Sequence, residues 1–235
     1  MRCAKLPWKI YNHKTFFILV QIKSYNRCIG DFMKKILSLL LPLCLFIGCA
    51  KTQDAKPQVA KTKQVPQKVL VVFFSKTGDN FGVGSIKVGN THKVAQEIAR
   101  QTNGTLFEIK PAKPYPDAYK ACSEVAETEF KTNARPKIKG HVEDMDEYDT
   151  IYLGFPIWWG DAPMPVYTFL ESYDLSGKEI YPFATHEGSA MGHSESALKK
   201  ALPKSTVHKG LAIYGHTAQK DEQFVHNAVK NWLNN

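Results

Sequence analysis

Five short apolar segments alternate with amphipathic segments along residues 68–233, and this alternation limits the possible fold more than any other feature. Residues 68–74 are rich in β-branched and aromatic side chains, which predicts a strand buried on both faces. Further strands are predicted at 106–109, 149–153, 179–185 and 209–214, and helices at 90–103, 117–131, 166–173, 194–202 and 222–233. The pattern predicts an α/β domain whose parallel sheet has helices on both faces.

The positive charge of the chain lies mostly outside this domain. The 235 residues include 31 Lys and Arg against 22 Asp and Glu, whereas residues 67–235 hold 19 basic and 20 acidic side chains. A nearly neutral domain lacks the electrostatic footprint of a nucleic-acid binder, so we expect no nucleic-acid partner. Cys122 is the one cysteine in residues 67–235. We therefore expect neither an internal disulfide nor a cysteine metal cluster there, and no metal.

The first 66 residues have the composition of targeting and linker segments. Residues 33–48 run from two lysines through a short apolar stretch to a small residue, which is the layout of a secretory signal. Residues 46–49 resemble a bacterial lipoprotein signal, in which the cysteine, here Cys49, becomes the lipidated first residue. A plain signal peptide or an uncleaved anchor is the alternative.

Four regions follow from these patterns. Residues 1–32 form an upstream segment outside the mature protein, 33–48 a signal peptide, 49–66 a flexible tether and 67–235 the folded domain. The tether is predicted because its sequence is polar, contains two prolines and has no periodicity. We expect a protein held outside the cytoplasm on a membrane by lipidated Cys49, with a secreted or periplasmic protein as the alternative.

Two adjacent tryptophans, Trp158 and Trp159, follow the predicted third strand directly. Gly154 and Pro156 interrupt the strand pattern, so the tryptophans fall where a loop begins. Loops lie at the surface, where a bulky aromatic gains little from the core. Two tryptophans there indicate a flat apolar partner such as a flavin ring. The alternative is that one packs into the core and the other covers a neighbouring helix.

A hydroxyl-rich turn follows the first predicted strand. Ser75 and Thr77 lie at the end of the strand, and Asn90 or Thr91 is a candidate N-cap for the helix that ends at Asn103. A strand, a turn of hydroxyl groups and a helix N-terminus form the layout that binds a phosphate. An ordinary capped turn between strand and helix is the alternative.

Three catalytic motifs are nearly matched, and each lacks an essential residue. Asn90 stands where a P-loop needs its lysine, and Ala190 stands where a zincin needs its second histidine. Ser196 stands where a nucleophile elbow needs glycine. These departures argue against an NTPase, a metalloprotease and an α/β-hydrolase.

The segments after the first, third and fourth strands together resemble the flavodoxin family. They are residues 75–78, 154–160 and 185–189, and the resemblance extends over about residues 68–233. It implies a flavodoxin-like, doubly wound, five-stranded parallel sheet of order 2-1-3-4-5 that binds FMN. The sequence departs from the family in an insertion at 79–89, for which a lid, a partner surface and a loop without a role are the alternatives. It also departs in its near-neutral charge, where electron-carrying flavodoxins are often acidic.

The resemblance implies three sets of FMN-binding residues. The phosphate set is Ser75, Lys76, Thr77, Gly78, Asn90 and Thr91; the set over one face of the flavin ring is Pro156, Ile157, Trp158, Trp159 and Gly160; the set at the other edge of the ring is Thr185, His186, Glu187, Gly188 and Ser189.

Three side chains near these sets are candidates for a chemical role. His186 is the best candidate for a functional histidine, with a hydrogen-bonded loop residue as the alternative. Asp161 or Glu187, if near the flavin ring, would disfavour extra negative charge on the ring.

The function implied is that of an FMN protein that exchanges electrons with a redox partner protein or a small-molecule acceptor. One alternative is an FMN-dependent reductase that uses NAD(P)H to reduce quinones or nitro compounds. Such an enzyme needs an open second pocket above the ring. Another is a flavin-free binding module on the same fold, since a fold does not guarantee a function.

Overall fold

The computed structural model describes residues 68–235. The predictions for residues 1–32, the signal peptide at 33–48, lipidation at Cys49 and the tether at 49–66 lie outside the described residues. None of the helices from Lys68 onward has the length and hydrophobicity needed to cross a membrane.

The five main strands of the central sheet alternate with helices along the described region, as predicted. A short 3₁₀ helix, Met145–Glu147, precedes the longest strand. The strands are β1 (Lys68–Phe73), β2 (Gly78–Asn80), β3 (Gly84–Ile86), β4 (Thr105–Glu108), β5 (Lys110–Pro111), β6 (Ile138–Lys139), β7 (Tyr148–Pro156), β8 (Glu179–His186), β9 (Thr206–Val207) and β10 (Leu211–Tyr214). The helices are α1 (Asn90–Thr102), α2 (Tyr119–Lys131), α3 (Met164–Leu170), α4 (Ser194–Ala201), α5 (Gly215–Lys220) and α6 (Glu222–Leu233).

The central sheet is parallel and has the order β4-β1-β7-β8-β10. This confirms the predicted order 2-1-3-4-5. The edge beside β8 differs in detail, because β9 pairs with Glu179 and Ile180 before β10 pairs with residues 183–186 of the same strand. The fifth strand predicted at 209–214 is therefore the second of two short pieces along one edge.

Alternate residues of β1 point into two separate hydrophobic clusters. Leu70 and Val72 belong to the cluster that includes residues of α3 and α4, while Val71 and Phe73 belong to the cluster that includes residues of α1 and α6. This is the period-two alternation of a strand covered on both faces. The burial predicted for the first strand is confirmed.

Two short antiparallel strand pairs and the helix α5 were not predicted. The insertion at 79–89 contains the antiparallel pair β2–β3, and β5 pairs with β6 across a long connection that includes α2. Strands of two or three residues are too short for a periodic pattern to identify.

The start of α1 differs from the prediction that Asn90 or Thr91 caps it. Gly89 occupies the N-cap position and Asn90 is the first helical residue. Ser75, at the end of β1, supplies the capping oxygen: its Oγ accepts a hydrogen bond from the backbone N–H of His92 at 3.1 Å. The end of α1 is as predicted, with Asn103 in the left-handed conformation at φ +52°.

Candidate functional site

A cavity of about 370 Å³ opens where β1, β7 and β8 end at their carboxyl edge. Ligands of doubly wound folds bind at this edge, and the volume falls in the range of about 300–1,000 Å³ typical of small-molecule sites. Its lining combines residues predicted from the sequence with residues of the β2–β3 hairpin and of α2. The predicted residues that line it are Lys76, Asn90, Pro156, Ile157, Trp158, Trp159, Gly160, Thr185, His186, Glu187 and Ser189.

Trp158 joins the cavity wall to the hydrophobic core. Its ring is half-buried and makes edge-to-face contacts with Phe74 and Tyr115, at centroid distances of 5.3 and 5.1 Å. Such pairs contribute about 0.5–1.5 kcal/mol each beyond their buried area. Trp158 is therefore a packing residue as well as a lining residue.

Trp159 lies at the second position of a tight turn that reverses the chain after β7. Trp158 and Asp161 exchange backbone hydrogen bonds of 2.9 and 3.0 Å across it. Trp159 and Gly160 have φ of +52° and +82°, as the two central residues of a type I′ turn require. The left-handed conformation costs about 1–2 kcal/mol for a residue with a side chain. The turn thus holds Trp159 in a strained conformation.

The Trp159 side chain stays at the mouth of the cavity despite this cost. It is 48% exposed, and its Nε1–H donates to the carbonyl oxygen of Ser123 on α2 at 3.1 Å. Backbone strain concentrates at functional sites, where the surrounding structure over-determines it. Packing within the domain therefore does not explain why an exposed tryptophan occupies this strained backbone position.

The end of β1 and the start of α1 are in direct contact because residue 89 is glycine. A Cβ atom built on Gly89 would lie 2.1 Å from the Ser75 Oγ and 2.6 Å from the Lys76 carbonyl oxygen, so no other residue fits without movement. The first N–H groups of a helix have no acceptor within it. Asn90, the first residue of α1, lines the cavity, so the helix begins at this end of it.

Two of the residues predicted to bind phosphate, Lys76 and Thr91, make hydrogen bonds within the protein. The Lys76 ammonium group donates to the carbonyl oxygens of Thr77, Asp79 and Asp117 at 2.8, 3.2 and 3.1 Å. The hydroxyl of Thr91 lies 2.8 Å from that of Thr185, and both side chains are buried. These groups fix the loops around the cavity. The predicted residues outside its lining are Ser75, Thr77, Gly78, Thr91 and Gly188.

His186, at the end of β8, is a buried histidine in the cavity wall. Its Nδ1 accepts a hydrogen bond from the backbone N–H of Gly188 at 2.9 Å, and its ring lies 4.4 Å from that of Tyr214. Burial lowers the pKa of His186 below its usual value, against the opposing influence of Glu187. The ring is therefore neutral at pH 7, with its proton on Nε2.

The two acidic candidates lie in different surroundings. Glu187 lines the cavity, and its carboxylate accepts from the backbone N–H of His216 at 2.8 Å and contacts the His216 Nδ1 at 2.6 Å. Asp161 points into the protein, where it accepts from the Ala162 N–H and the Tyr167 hydroxyl at 2.7 and 2.9 Å. Of the two, only Glu187 lines the cavity.

Sequence reasoning missed one wall of the cavity. The residues on this wall come from β2–β3 and from one face of α2, and no pattern in a single sequence indicates that these elements meet. The buried Cys122 thiol is among them, and desolvation raises its pKa to about 11. It is therefore protonated at neutral pH and inert. The missed lining residues are Asp79, Asn80, Phe81, Tyr119, Cys122, Ser123 and Ala126.

From Lys68 onward, no group of three or more His, Cys, Asp or Glu side chains is arranged to hold a metal ion.

Comparison with known proteins identifies relatives of this domain. A sequence profile described as flavodoxin matches residues 68–235. A candidate flavoprotein from Bacteroides eggerthii DSM 20697 is 33% identical over 71% of this chain and 96% of its own, with a TM-score of 0.56. A second candidate flavoprotein, from Bacteroides uniformis ATCC 8492, is 32% identical over 72% of this chain and 99% of its own, with a TM-score of 0.57.

A more distant structure has the same fold. The flavoprotein from Lactobacillus acidophilus NCFM, solved in complex with FMN, is 23% identical over 64% of this chain and 95% of its own, with a TM-score of 0.51. No curated protein matches the chain significantly. The profile covers the whole described region and the two Bacteroides relatives are aligned over nearly their full length, so the chain belongs to the flavodoxin family.

Proposed function

We propose that this protein is an FMN-binding electron-transfer flavoprotein. The observation that carries the proposal is one cavity, in a flavodoxin fold, that joins an aromatic wall at Trp158 and Trp159 to the N-terminus of α1. The Lactobacillus relative solved with FMN supports this choice of cofactor. Bound FMN would supply the electron chemistry, and the protein would supply binding, orientation and electrostatics.

The aromatic wall suits an isoalloxazine ring. Stacking of an aromatic side chain on a flat heterocycle contributes about 1–3 kcal/mol in nucleobase complexes, which gives a scale for Trp159. Trp158 would exclude water from the same face. A wall of this kind disfavours added negative charge, and the Glu187 carboxylate acts in the same direction, so both would lower the reduction potential. Neutral His186 offers a proton donor at Nε2.

The opposite end of the cavity suits a phosphate. The N-terminal N–H groups of α1 provide donors, and the helix dipole favours an anion by about 0.3–1 kcal/mol per charge. Gly89 keeps Ser75 and the Lys76 carbonyl close to the helix, which leaves a compact turn. In this site backbone groups would bind the phosphate, with Ser75 and Lys76 fixing the turn that presents them.

The size of the cavity favours a carrier over a reductase. About 370 Å³ is near the lower end of the range for small-molecule sites, which suits one planar ligand better than two stacked ones. A reductase that turns over a quinone with NAD(P)H needs space for a second substrate above the ring.

The first experiment is a visible absorption spectrum of the purified protein after incubation with FMN and dialysis. Retained flavin at about one equivalent is the expected result. If flavin is retained, turnover of NAD(P)H and a quinone is measured next, and appreciable turnover would favour the reductase. A folded protein that retains no flavin would contradict the proposal and favour a binding module.

A second experiment addresses the phosphate end. FMN should bind more tightly than riboflavin, because riboflavin lacks the phosphate and leaves the N–H groups of α1 unpaired by the ligand. Isothermal titration with both flavins measures the difference. Equal affinities would contradict the assignment of the phosphate site.

We also propose that the protein is tethered by lipid outside the cytoplasm. The support is the sequence around Cys49, where a basic and then apolar segment ends at a cysteine. Stable membrane anchoring requires more than one acyl chain. The lipidated cysteine of a bacterial lipoprotein resembles an anchor of that kind. Metabolic labelling with a fatty-acid analogue should label the wild type and not Cys49→Ser. An unlabelled wild type in the soluble fraction would contradict the tether.

A further inference from the structure

The β2–β3 hairpin occupies the insertion at 79–89, and the functions proposed above leave it without a purpose. It leaves the end of β1 and returns to the start of α1, so it is inserted directly at the phosphate end of the cavity. Asn80 and Phe81 line the cavity itself. The hairpin is therefore part of the site and not a remote loop.

The base of the hairpin is fastened to the segment before α2. The backbone N–H of Asp79 donates to the Asp117 carbonyl oxygen at 3.0 Å, and the Asp79 carboxylate accepts from the backbone N–H of Tyr119 at 3.3 Å. The Lys76 ammonium group bridges the carbonyl oxygens of Asp79 and Asp117. Neutral and charge-assisted bonds thus fix one side of the hairpin to the α2 wall.

The tip carries an aromatic side chain that the domain itself does not bury. Phe81 is 62% exposed, and its ring lies 5.6 Å from that of Tyr119 in a tilted arrangement. Both rings line the cavity. An exposed aromatic pair at a cavity mouth gains contact when a ligand occupies the cavity.

The tip also reaches the opposite wall. A Cβ atom built on Gly82 would lie 3.0 Å from Cγ of Glu187, which follows β8. Glu187 is itself held in place by the N–H and the Nδ1 of His216. The hairpin therefore contacts the α2 wall at its base and the β8 wall at its tip.

We propose that the β2–β3 hairpin is a strap across the mouth of the cavity, with the contact of Gly82 and Glu187 as its latch. This inference rests on the proposed function, because the ligand retained would be FMN. Because the strap must open before FMN can enter or leave the cavity, it raises the activation barriers to both FMN association and FMN dissociation. A loop that only adds contacts to bound FMN would slow release alone.

Two glycines of the hairpin provide a matched pair of variants. Gly82 and Gly84 have φ of +70° and +85°, so alanine is strained at both. Only at Gly82 does the new methyl group meet Glu187; at Gly84 nothing lies within 4 Å. Gly82→Ala therefore displaces the latch, and Gly84→Ala reports the cost of backbone strain alone.

FMN association and dissociation rates are measured by the change in flavin fluorescence, after mixing and after dilution, for the wild-type protein and both variants. We expect Gly82→Ala to raise both rates about tenfold and Gly84→Ala to raise them less than about threefold, on the scale by which interface changes alter rates. Phe81→Ser, which keeps the backbone, should also raise both rates. Circular dichroism confirms that each variant is folded.

The outcomes test the strap separately from the proposed binding of FMN. If wild-type protein binds FMN and Gly82→Ala has the rates of Gly84→Ala, or changes only the dissociation rate, the strap is wrong and the FMN site stands. If folded wild-type protein does not bind FMN, the proposed function fails and the strap fails with it.

Discussion

At the scale of the residue, Trp158 and Trp159 are neighbours in sequence with different physical surroundings. Trp158 packs edge-to-face against Phe74 and Tyr115, whereas Trp159 is exposed and held at positive φ. Packing accounts for the first, and the proposed contact with FMN would account for the second. Substitution should therefore separate stability from binding.

Trp159→Gly should change the free energy of unfolding by less than about 1 kcal/mol, because relief of strain at positive φ offsets lost contacts. It should weaken FMN binding by roughly 5- to 150-fold, the equivalent of about 1–3 kcal/mol of stacking. Trp158→Ala should instead destabilise the fold by about 2–4 kcal/mol. Urea unfolding and FMN titration of both variants measure these effects. Equal losses of stability would contradict the division.

Gly154, near the carboxyl end of β7, is a residue where packing permits no side chain. A Cβ atom there would lie 2.1 Å from Cζ of the fully buried Phe183. Gly154→Ala should therefore destabilise the protein by about 1–3 kcal/mol through overpacking.

The control for this substitution is Gly177→Ala. Gly177 has φ of +77° and nothing near its Cβ position, so alanine there should cost about 1 kcal/mol of backbone strain. Chemical denaturation of both variants gives the comparison. A smaller loss for Gly154→Ala than for Gly177→Ala would show that β7 and β8 can separate to admit the methyl group.

At the scale of the element, α1 and α6 are joined on their exposed sides by a polar cluster. The Glu97 carboxylate accepts from the Arg100 side chain at 2.6 and 2.8 Å and lies 2.8 Å from Nδ1 of His226 on α6. Hydrogen bonding by Arg100 is the main cause that lowers the pKa of Glu97 to about 2. A carboxyl group whose pKa is lower in the folded than in the unfolded state stabilises the fold at pH values above its pKa in the unfolded state.

This stabilisation, at most about 3 kcal/mol, should be present at pH 7 and lost as the pH falls from about 5 to 2. The difference in unfolding free energy between wild type and Glu97→Gln should shrink over the same range. Glu124→Gln is the control, since Glu124 forms an exposed pair with Lys120 at 4.0 Å and such pairs contribute little. A pH-independent difference for Glu97→Gln would contradict the predicted linkage.

At the scale of the whole molecule, the cavity draws its walls from several parts of the chain. The turn after β7, the end of β8, the start of α1, the hairpin and α2 all contribute lining residues. A ligand that contacts all of these walls stabilises the folded state, because the walls separate on unfolding.

FMN at 100 times its dissociation constant should stabilise the protein by about 2.7 kcal/mol, which raises the Tm by roughly 5–10 °C for a domain of this size. Riboflavin at the same concentration should give a smaller shift, because it binds more weakly. Differential scanning fluorimetry with flavin-independent detection measures both. A Tm that does not respond to saturating FMN would contradict binding to the folded state.

The sequence by itself determined the class of fold and the segments that border the cavity, because strand periodicity and the positions of glycine, proline and tryptophan are local properties. The strand order was an expectation drawn from the family resemblance. Tertiary structure decided which side chains reach the cavity. Thr91 and Thr185 satisfy each other, Asp161 turns to Tyr167, and Lys76 bonds to carbonyl oxygens, because partners distant in sequence compete for each polar group. The hairpin wall has the same origin: the contact of Gly82 with Glu187 spans more than a hundred residues and has no local signature.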